Sequence, residues 1–318
     1  MIRRRHLAAL LAAPAAYAQE AFPARPLSLI VPLPPGGTTD AISRAFAARM
    51  AVQLGRPVVI DNRPGAGANV AYAFAARQAP DGYSVLMGIN SLAVNPALRA
   101  DLPYAPMTDF APVSLVARGG FVLAVHPDSP ARDVAGLVAL ARARPGALDQ
   151  ASTGAGSLNH LAGALFQRRA GVEFGHVPYR GGAQAATDVI AGRVPVIFLA
   201  VLEALPFVRE GRLRALAVTS PTRMAVLPDV PTVAEAGYPG YAVEFWQGLF
   251  VPAATPVPVV ARLNAAARAA AGDAALVADM AARGITIAAS SAEELAALLA
   301  RETVEWAELV RATGIRAE

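Results

Sequence analysis

Short apolar runs alternate with stretches of helical periodicity along almost the whole chain. Leu27–Pro32, Val58–Asp61 and Tyr83–Met87 read as strands, with helices predicted at Ala41–Leu54 and about Asn69–Arg77. A second set follows. Strands at Phe121–His126, Leu148–Ser152 and Phe174–Val177 alternate with helices at Val134–Arg144, Leu158–Arg169 and Ala183–Ala191. Strands at Val194–Leu199 and Leu213–Thr219 complete it. Pro228–Tyr241 is rich in proline and glycine and reads as a connector. Val243–Val251 reads as a strand. The remainder is helical at Val257–Ala271, Ala274–Arg283 and Ala292–Thr313, interrupted by a short strand at Thr286–Ala289. Such alternation predicts an α/β fold built on parallel sheets.

The last helices carry alanine and leucine at helical spacing and need a sheet to cover. The first α/β unit is the natural place. The chain is then expected to leave that unit near Arg118, build a second one, and return near Glu244. This division makes residues 19–120 and 245–318 one domain and 121–244 the other. Two crossings between lobes form a hinge, and a hinge implies a cleft that opens and closes.

The N-terminus reads as an export signal. Arg3, Arg4 and Arg5 precede an apolar stretch, Leu7–Ala16, and Ala16-Tyr17-Ala18 fits a cleavage site after Ala18. The stretch is too short for a stable membrane anchor. Arg4-Arg5 also fits a twin-arginine signal weakly; the general secretory route is the expectation. Removing residues 1–18 lowers the formal net charge from +4 to +1. The remaining arginines are scattered, which argues against a nucleic-acid partner. Of the 318 residues none is cysteine, so thiol nucleophiles, disulfides and thiolate metal sites are excluded. None is lysine, which excludes a P-loop lysine and Schiff-base chemistry. No cofactor or metal motif is present, and a monomer is expected.

Two loops carry the candidate chemistry. Leu27–Asp40, LSLIVPLPPGGTTD, reads as a strand, a glycine turn and a helix start. Ala151–Leu161, ASTGAGSLNHL, repeats the design. A helix start carries free N–H groups and about half a positive charge, so it can hold an anion without a cationic side chain. Gly36, Gly37, Thr38, Thr39 and Asp40 are candidates in the first loop, and Thr153, Gly156 and Ser157 in the second. Taken singly, either loop is as well explained by a plain turn, with Asp40 favouring the dipole and Ser157 an N-cap. Paired, they suggest one anion gripped from two sides.

The histidines add little chemistry. Ser157 and His160 lie three apart on one predicted helix, a poor geometry for a nucleophile and its base, and G-x-S-x-G is absent around Ser157. His160 is expected to be a hydrogen-bonding group in the cleft or a packing residue. His126 and His176 read as structural. Gly65-Ala66-Gly67 resembles the start of a dinucleotide fingerprint, but Val70 stands at its third glycine; a turn opening the next helix is the better reading. Phe245 and Gln247 fall on one face of the return strand and Trp246 on the other, so Phe245 is a candidate contact at the hinge.

These segments, with VVIDNRPGAGAN, APDGYSVLMG, VPYRGGAQAATDVIAG, LRALAVTS, LPDVPTVAEAGYPGY and WQGLFVPAATP in order, resemble the Bug-type substrate-binding receptors of tripartite tricarboxylate transporters. The resemblance covers nearly the whole chain after the signal. It implies a two-lobed type II periplasmic binding protein that holds a small organic carboxylate with backbone amides and ordered waters, and that delivers it to a membrane permease. It implies donors at Gly37, Thr38, Thr153, Gly156 and Ser157. It further implies that Asn90, Ser91, His160 and the segment Tyr179, Arg180, Gly181, Gly182 line the cleft. Leu33 stands where the family usually has phenylalanine, and Ala68 where it has glycine. Pro195 and Leu199 stand where acids are common, which predicts a ligand either less polar or more anionic. Alternative outputs are a liganded form that drives a sensor protein or, from another class, a secreted hydrolase using Ser157 and His160.

Overall fold

The computed structural model describes residues 22–316; the segment read as an export signal lies outside them. The chain opens with β1 (Leu27–Val31), α1 (Thr38–Leu54), β2 (Val58–Asn62), α2 (Asn69–Ala76), β3 (Ser84–Ile89) and α3 (Ser91–Leu98). It continues through β4 (Phe110–Val125), α4 (Val134–Ala143), β5 (Asp149–Ser152), α5 (Leu158–Ala170), β6 (Gly175–Pro178), α6 (Gly182–Ile190), β7 (Val196–Ala200), α7 (Val201–Arg209) and β8 (Arg214–Val218). It closes with β9 (Glu244–Pro252), α8 (Val257–Ala271), α9 (Ala274–Ala281), β10 (Thr286–Ile287) and α10 (Ala292–Thr313).

β1 runs parallel to β2 and β3 on either side, and β5 parallel to β6 and β7. The centre departs from the expected parallel pattern. β9 is antiparallel to β3 and β4, and β4 is antiparallel to β7, β8 and β10. The 16-residue β4 belongs to both sheets. Its residues from Phe110 to Gly120 pair with β9, and those from Phe121 to Val125 pair with β7 and β8. Two α/β lobes therefore share one continuous strand.

Three elements escaped the sequence pattern: the first half of β4, α3 and α7. Pro112 interrupts the β4 run, and the register with β9 slips there and again between Leu115 and Ala117, as at bulges. Pro96 and Pro206 lie inside α3 and α7. Proline there costs an intrahelical bond, which burial of Leu92 and Val94 in α3 and of Ala204 and Leu205 in α7 offsets.

The C-terminal helices cover the first sheet, as their apolar stripes require. α8 packs on α1 and β4, and α10 on α3 and β4. A reciprocal capping box of Ser291 and Glu294 starts α10. Val94 of α3, Leu161 of α5 and Leu309 and Val310 of α10 form a small apolar cluster that joins helices of the two lobes.

Candidate ligand-binding site

A cavity of about 570 Å³ lies between the lobes, within the usual size for small-molecule sites. Six helices begin on its wall among the described residues: α1 at Gly37–Thr39, α2 at Ala68 and Asn69, α3 at Asn90 and Ser91, α5 at Ser157–Asn159, α6 at Gly181–Gln184, and α7 at Ala200. This follows from the topology, since each of these helices follows a strand that ends at the crevice. Every such start aims the positive end of its dipole at the same space. Leu33, Ile89, Leu98, Phe121, Leu199 and Phe245 supply apolar wall; Arg99, Arg180 and Glu203 supply charge.

In the first loop the helix begins at Thr38, earlier than the pattern suggested, with Gly37 as its N-cap. Gly36 to Thr39 lie on the wall. Asp40 does not. Its carboxylate accepts from the Gly36 amide at 3.0 Å, from Arg44 Nε at 2.8 Å and from Asn62 Nδ2 at 3.0 Å. Burial pushes its pKa up, but these three partners outweigh burial and hold it below the usual carboxylate value. Asp40 shapes the turn from behind.

The second loop is organised by Asn159, a buried residue absent from the sequence-based candidates. Its Oδ1 accepts from Thr153 N–H (3.3 Å), Thr153 Oγ1 (3.0 Å) and His160 N–H (3.1 Å), and lies 2.6 Å from Ser157 Oγ. Thr153, Gly156 and Ser157 are on the cavity wall, but much of their donor capacity is spent within the loop. Gly156 N–H donates to His160 Nδ1 at 3.0 Å, Ser157 N–H to Gly154 O at 3.1 Å, and Ser157 Oγ lies 2.6 Å from the same carbonyl. Gly156 adopts φ +74°, and a Cβ there would meet Leu98 of the other lobe at 2.3 Å. The loop thus approaches α3 as closely as a glycine allows.

His160 sits behind the wall. Its ring stacks on His176 with centroids 3.7 Å apart and planes within 2°, and His176 Nε2 meets Ser152 Oγ at 2.6 Å. Burial, with the neighbouring His176, pushes the His160 pKa down to about 4. The ring is neutral at physiological pH and accepts from the loop amide, so it is turned to holding the loop rather than to Ser157. Tyr179 also lies off the wall. Its hydroxyl donates to Asp188 at 2.7 Å, and its pKa is pushed up to about 12 by burial and this carboxylate.

Arg180, Gly181, Asn90, Ser91 and Phe245 line the cavity. Asn90 is anchored on all sides: Nδ2 donates to Glu302 Oε2 at 3.0 Å, and Oδ1 accepts Trp246 N–H at 2.9 Å. Glu302 also accepts from both indoles, Trp246 Nε1 at 2.7 Å and Trp306 Nε1 at 3.1 Å. Burial still raises its pKa above the usual value, against these three bonds. Phe245 packs edge-on against Phe121, centroids 5.7 Å apart.

Asn69, Asn95 and Glu203 are further polar wall residues that sequence reasoning passed over, as are Arg99 and Gln184. Asn95 Nδ2 donates to Asn69 Oδ1 at 2.7 Å and to Gly67 O at 2.9 Å, and Tyr104 Oη donates to the same Asn69 oxygen. This network holds an unusual turn, in which Ala66, Gly67 and Ala68 have φ of +48°, +63° and +77°. Glu203, in the first turn of α7, reaches across the cleft. Thr38 N–H and Thr38 Oγ1 both donate to its Oε1 at 2.8 Å. The expectation that the cleft lacks acid from this segment is corrected: the acid stands at 203, one helical turn beyond Leu199. The available signal was an acidic residue just after a strand, hidden because Pro206 disguised the helix.

Comparison with known proteins agrees with this architecture. Residues 42–315 match the family model described as tripartite tricarboxylate transporter family receptor. Protein BugT of Bordetella pertussis (strain Tohama I) is 36% identical over 93% of this chain and 92% of its own length. The structure of Rpa4515 from R. palustris with adipate superposes with a TM-score of 0.89 at 34% identity, covering 93% of this chain and 99% of that one. MatC from Rhodopseudomonas palustris with bound malate gives a TM-score of 0.85 at 33% identity, covering 91% of this chain and 100% of that one.

Proposed function

Because the chain belongs to the tripartite tricarboxylate transporter receptor family, we propose that it is a periplasmic receptor that closes around a small organic carboxylate and delivers it to a membrane permease. The observation that carries this reading is the convergence of six helix starts on one cavity. Their combined dipoles favour a negative charge in an otherwise largely apolar space. That Thr38 already takes a carboxylate, the chain's own, supports the chemistry of the wall. The solved relatives with adipate and malate carry ligands of the same class.

In this reading the leader, residues 1–18, directs export and is removed after Ala18, and the mature receptor acts as a monomer. Residues 19–120 and 245–318 form one lobe and 121–244 the other, in keeping with the change of β4's partners at Gly120. Ligand shifts the lobes towards the closed form that the permease recognises. The receptor does no chemistry of its own; His160 Nδ1 is occupied by the Gly156 amide and does not serve Ser157.

A thermal-shift screen of carboxylic acids, each paired with its amide, tests the proposal. Acids are expected to raise the melting temperature in a saturable way and amides to leave it unchanged. Equal shifts from acid and amide refute a carboxylate receptor.

A further inference from the structure

Glu203 occupies a place built for a carboxylate. Its Oε1 accepts two donors of Thr38, at the start of the 17-residue α1 in the opposite lobe. A Cβ on Gly37 would stand 3.5 Å from Oε1, and one on Gly182 would collide with Oε2 at 1.9 Å. The carboxylate therefore fills the gap between the glycine turns that open α1 and α6, and closes it to any other group. Oε2 is buried with no hydrogen-bond partner, so Glu203 is wedged there rather than dangling in the cavity. The surroundings on the wall, Leu199, Phe121 and Phe245, are apolar.

Resting on the carboxylate-receptor reading above, we propose that Glu203 sets the ligand class: it fills the anion seat at α1, so that the receptor takes monocarboxylates with an apolar body and excludes dicarboxylates. The starts of α2 and α3, with the donors of α5 that its loop does not use, remain for the ligand's single carboxylate. A second ligand carboxylate near α1 meets a like charge in a site of reduced dielectric, where the two repel more strongly than in water. Towards Phe121, Leu199 and Phe245, beside Glu203, it meets aliphatic and aromatic wall with no donor to replace water. The assignment follows from Glu203 itself, since the acid absent at Pro195 and Leu199 is present at 203. It also separates this receptor from the solved relatives, whose adipate and malate are dicarboxylates.

The test measures dissociation constants by calorimetry for acid pairs of equal chain length from four to eight carbons, hexanoate against adipate among them. Wild type, Glu203→Ala and Glu203→Gln are compared. Wild type is expected to bind the monocarboxylate at least tenfold more tightly. Glu203→Ala is expected to shrink that ratio at least tenfold through a gain for the dicarboxylate, with a single cooperative urea transition as the check of folding. Glu203→Gln, which removes the charge but keeps the bulk, is expected to fall between. An unchanged ratio, an equal gain for both acids, or a wild type that prefers the dicarboxylate overturns the proposal, as does binding of neither acid at every length. Hexanamide binding as tightly as hexanoate overturns instead the carboxylate reading on which it rests.

Discussion

Replacing Asn159 separates the loop's architecture from its electrostatics. Asn159→Ala removes the acceptor shared by Thr153 N–H, Thr153 Oγ1 and His160 N–H, and the close partner of Ser157 Oγ. Each hydrogen bond contributes about 1 kcal/mol net, and a donor left buried costs about 1–3 kcal/mol. Thr153 is exposed and recovers its bonds from water. The loss is then set by His160 N–H and Ser157, and amounts to about 2–3 kcal/mol. Asn159→Asp keeps the acceptor and places a negative charge at the start of α5, where the dipole favours it, so its stability is expected within about 1 kcal/mol of wild type. Yet Asn159 lies on the cavity wall. A ligand carboxylate roughly 6–8 Å away, at an effective dielectric of about 20, is repelled by about 2–3 kcal/mol, which weakens binding on the order of 30- to 150-fold. Urea unfolding and calorimetric titration of both variants, at two salt concentrations, read these out. Asn159→Ala costing under 1 kcal/mol refutes the hub; Asn159→Asp binding carboxylates as wild type refutes a ligand charge beside α5.

Three further outcomes are expected. Ala68→Gly relieves a left-handed alanine at φ +77°, a conformation costing about 1–2 kcal/mol, and is expected to raise stability by about 0.5–1 kcal/mol after the added freedom of the unfolded chain; a lower melting temperature counts against it. His160, depressed to about 4, binds a proton more readily unfolded than folded. It contributes stability above pH 6.5 that is lost as pH falls towards 4, by up to about 3 kcal/mol, and His160→Gln is expected to flatten that part of the curve in urea melts. Glu302 is raised, the opposite sign: the folded state holds its proton longer, so stability falls as pH rises through its folded pKa. Glu302→Gln, which can still accept from both indoles, is expected to lose less stability than wild type on going from pH 5 to 8, and parallel curves contradict this.

Much of the fold was legible because buried strands and amphipathic helices have different periods. The reading faltered wherever proline broke a run that tertiary packing restores. Pro112, Pro96 and Pro206 masked half of β4, α3 and α7. The glycine loops were legible as helix starts, since Gly37 and Ser157 cap α1 and α5. The inner partners of the loops were not. Asp40, His160 and Asn159 act largely by bonds within six residues of themselves, and sequence does not say whether a polar side chain turns outward to solvent or back to its own turn. Glu203 is the extreme case, because its partner Thr38 lies 165 residues away.

The connection between the lobes is itself a piece of sheet. Where β4 leaves one lobe and β9 returns, Gly119 pairs with Phe245 and Gly120 with Glu244. A Cβ on Gly119 would strike the Phe245 ring at 2.5 Å, and one on Gly120 would strike Met224 at 2.6 Å. The two strands are laced to each other at the crease, so neither can swivel alone. Opening of the proposed receptor would be a flexure of that ribbon about a single line, resisted by its ladder. The restoring force that a guest molecule would work with or against is then elastic, set by main-chain geometry, and insensitive to the length of any tether.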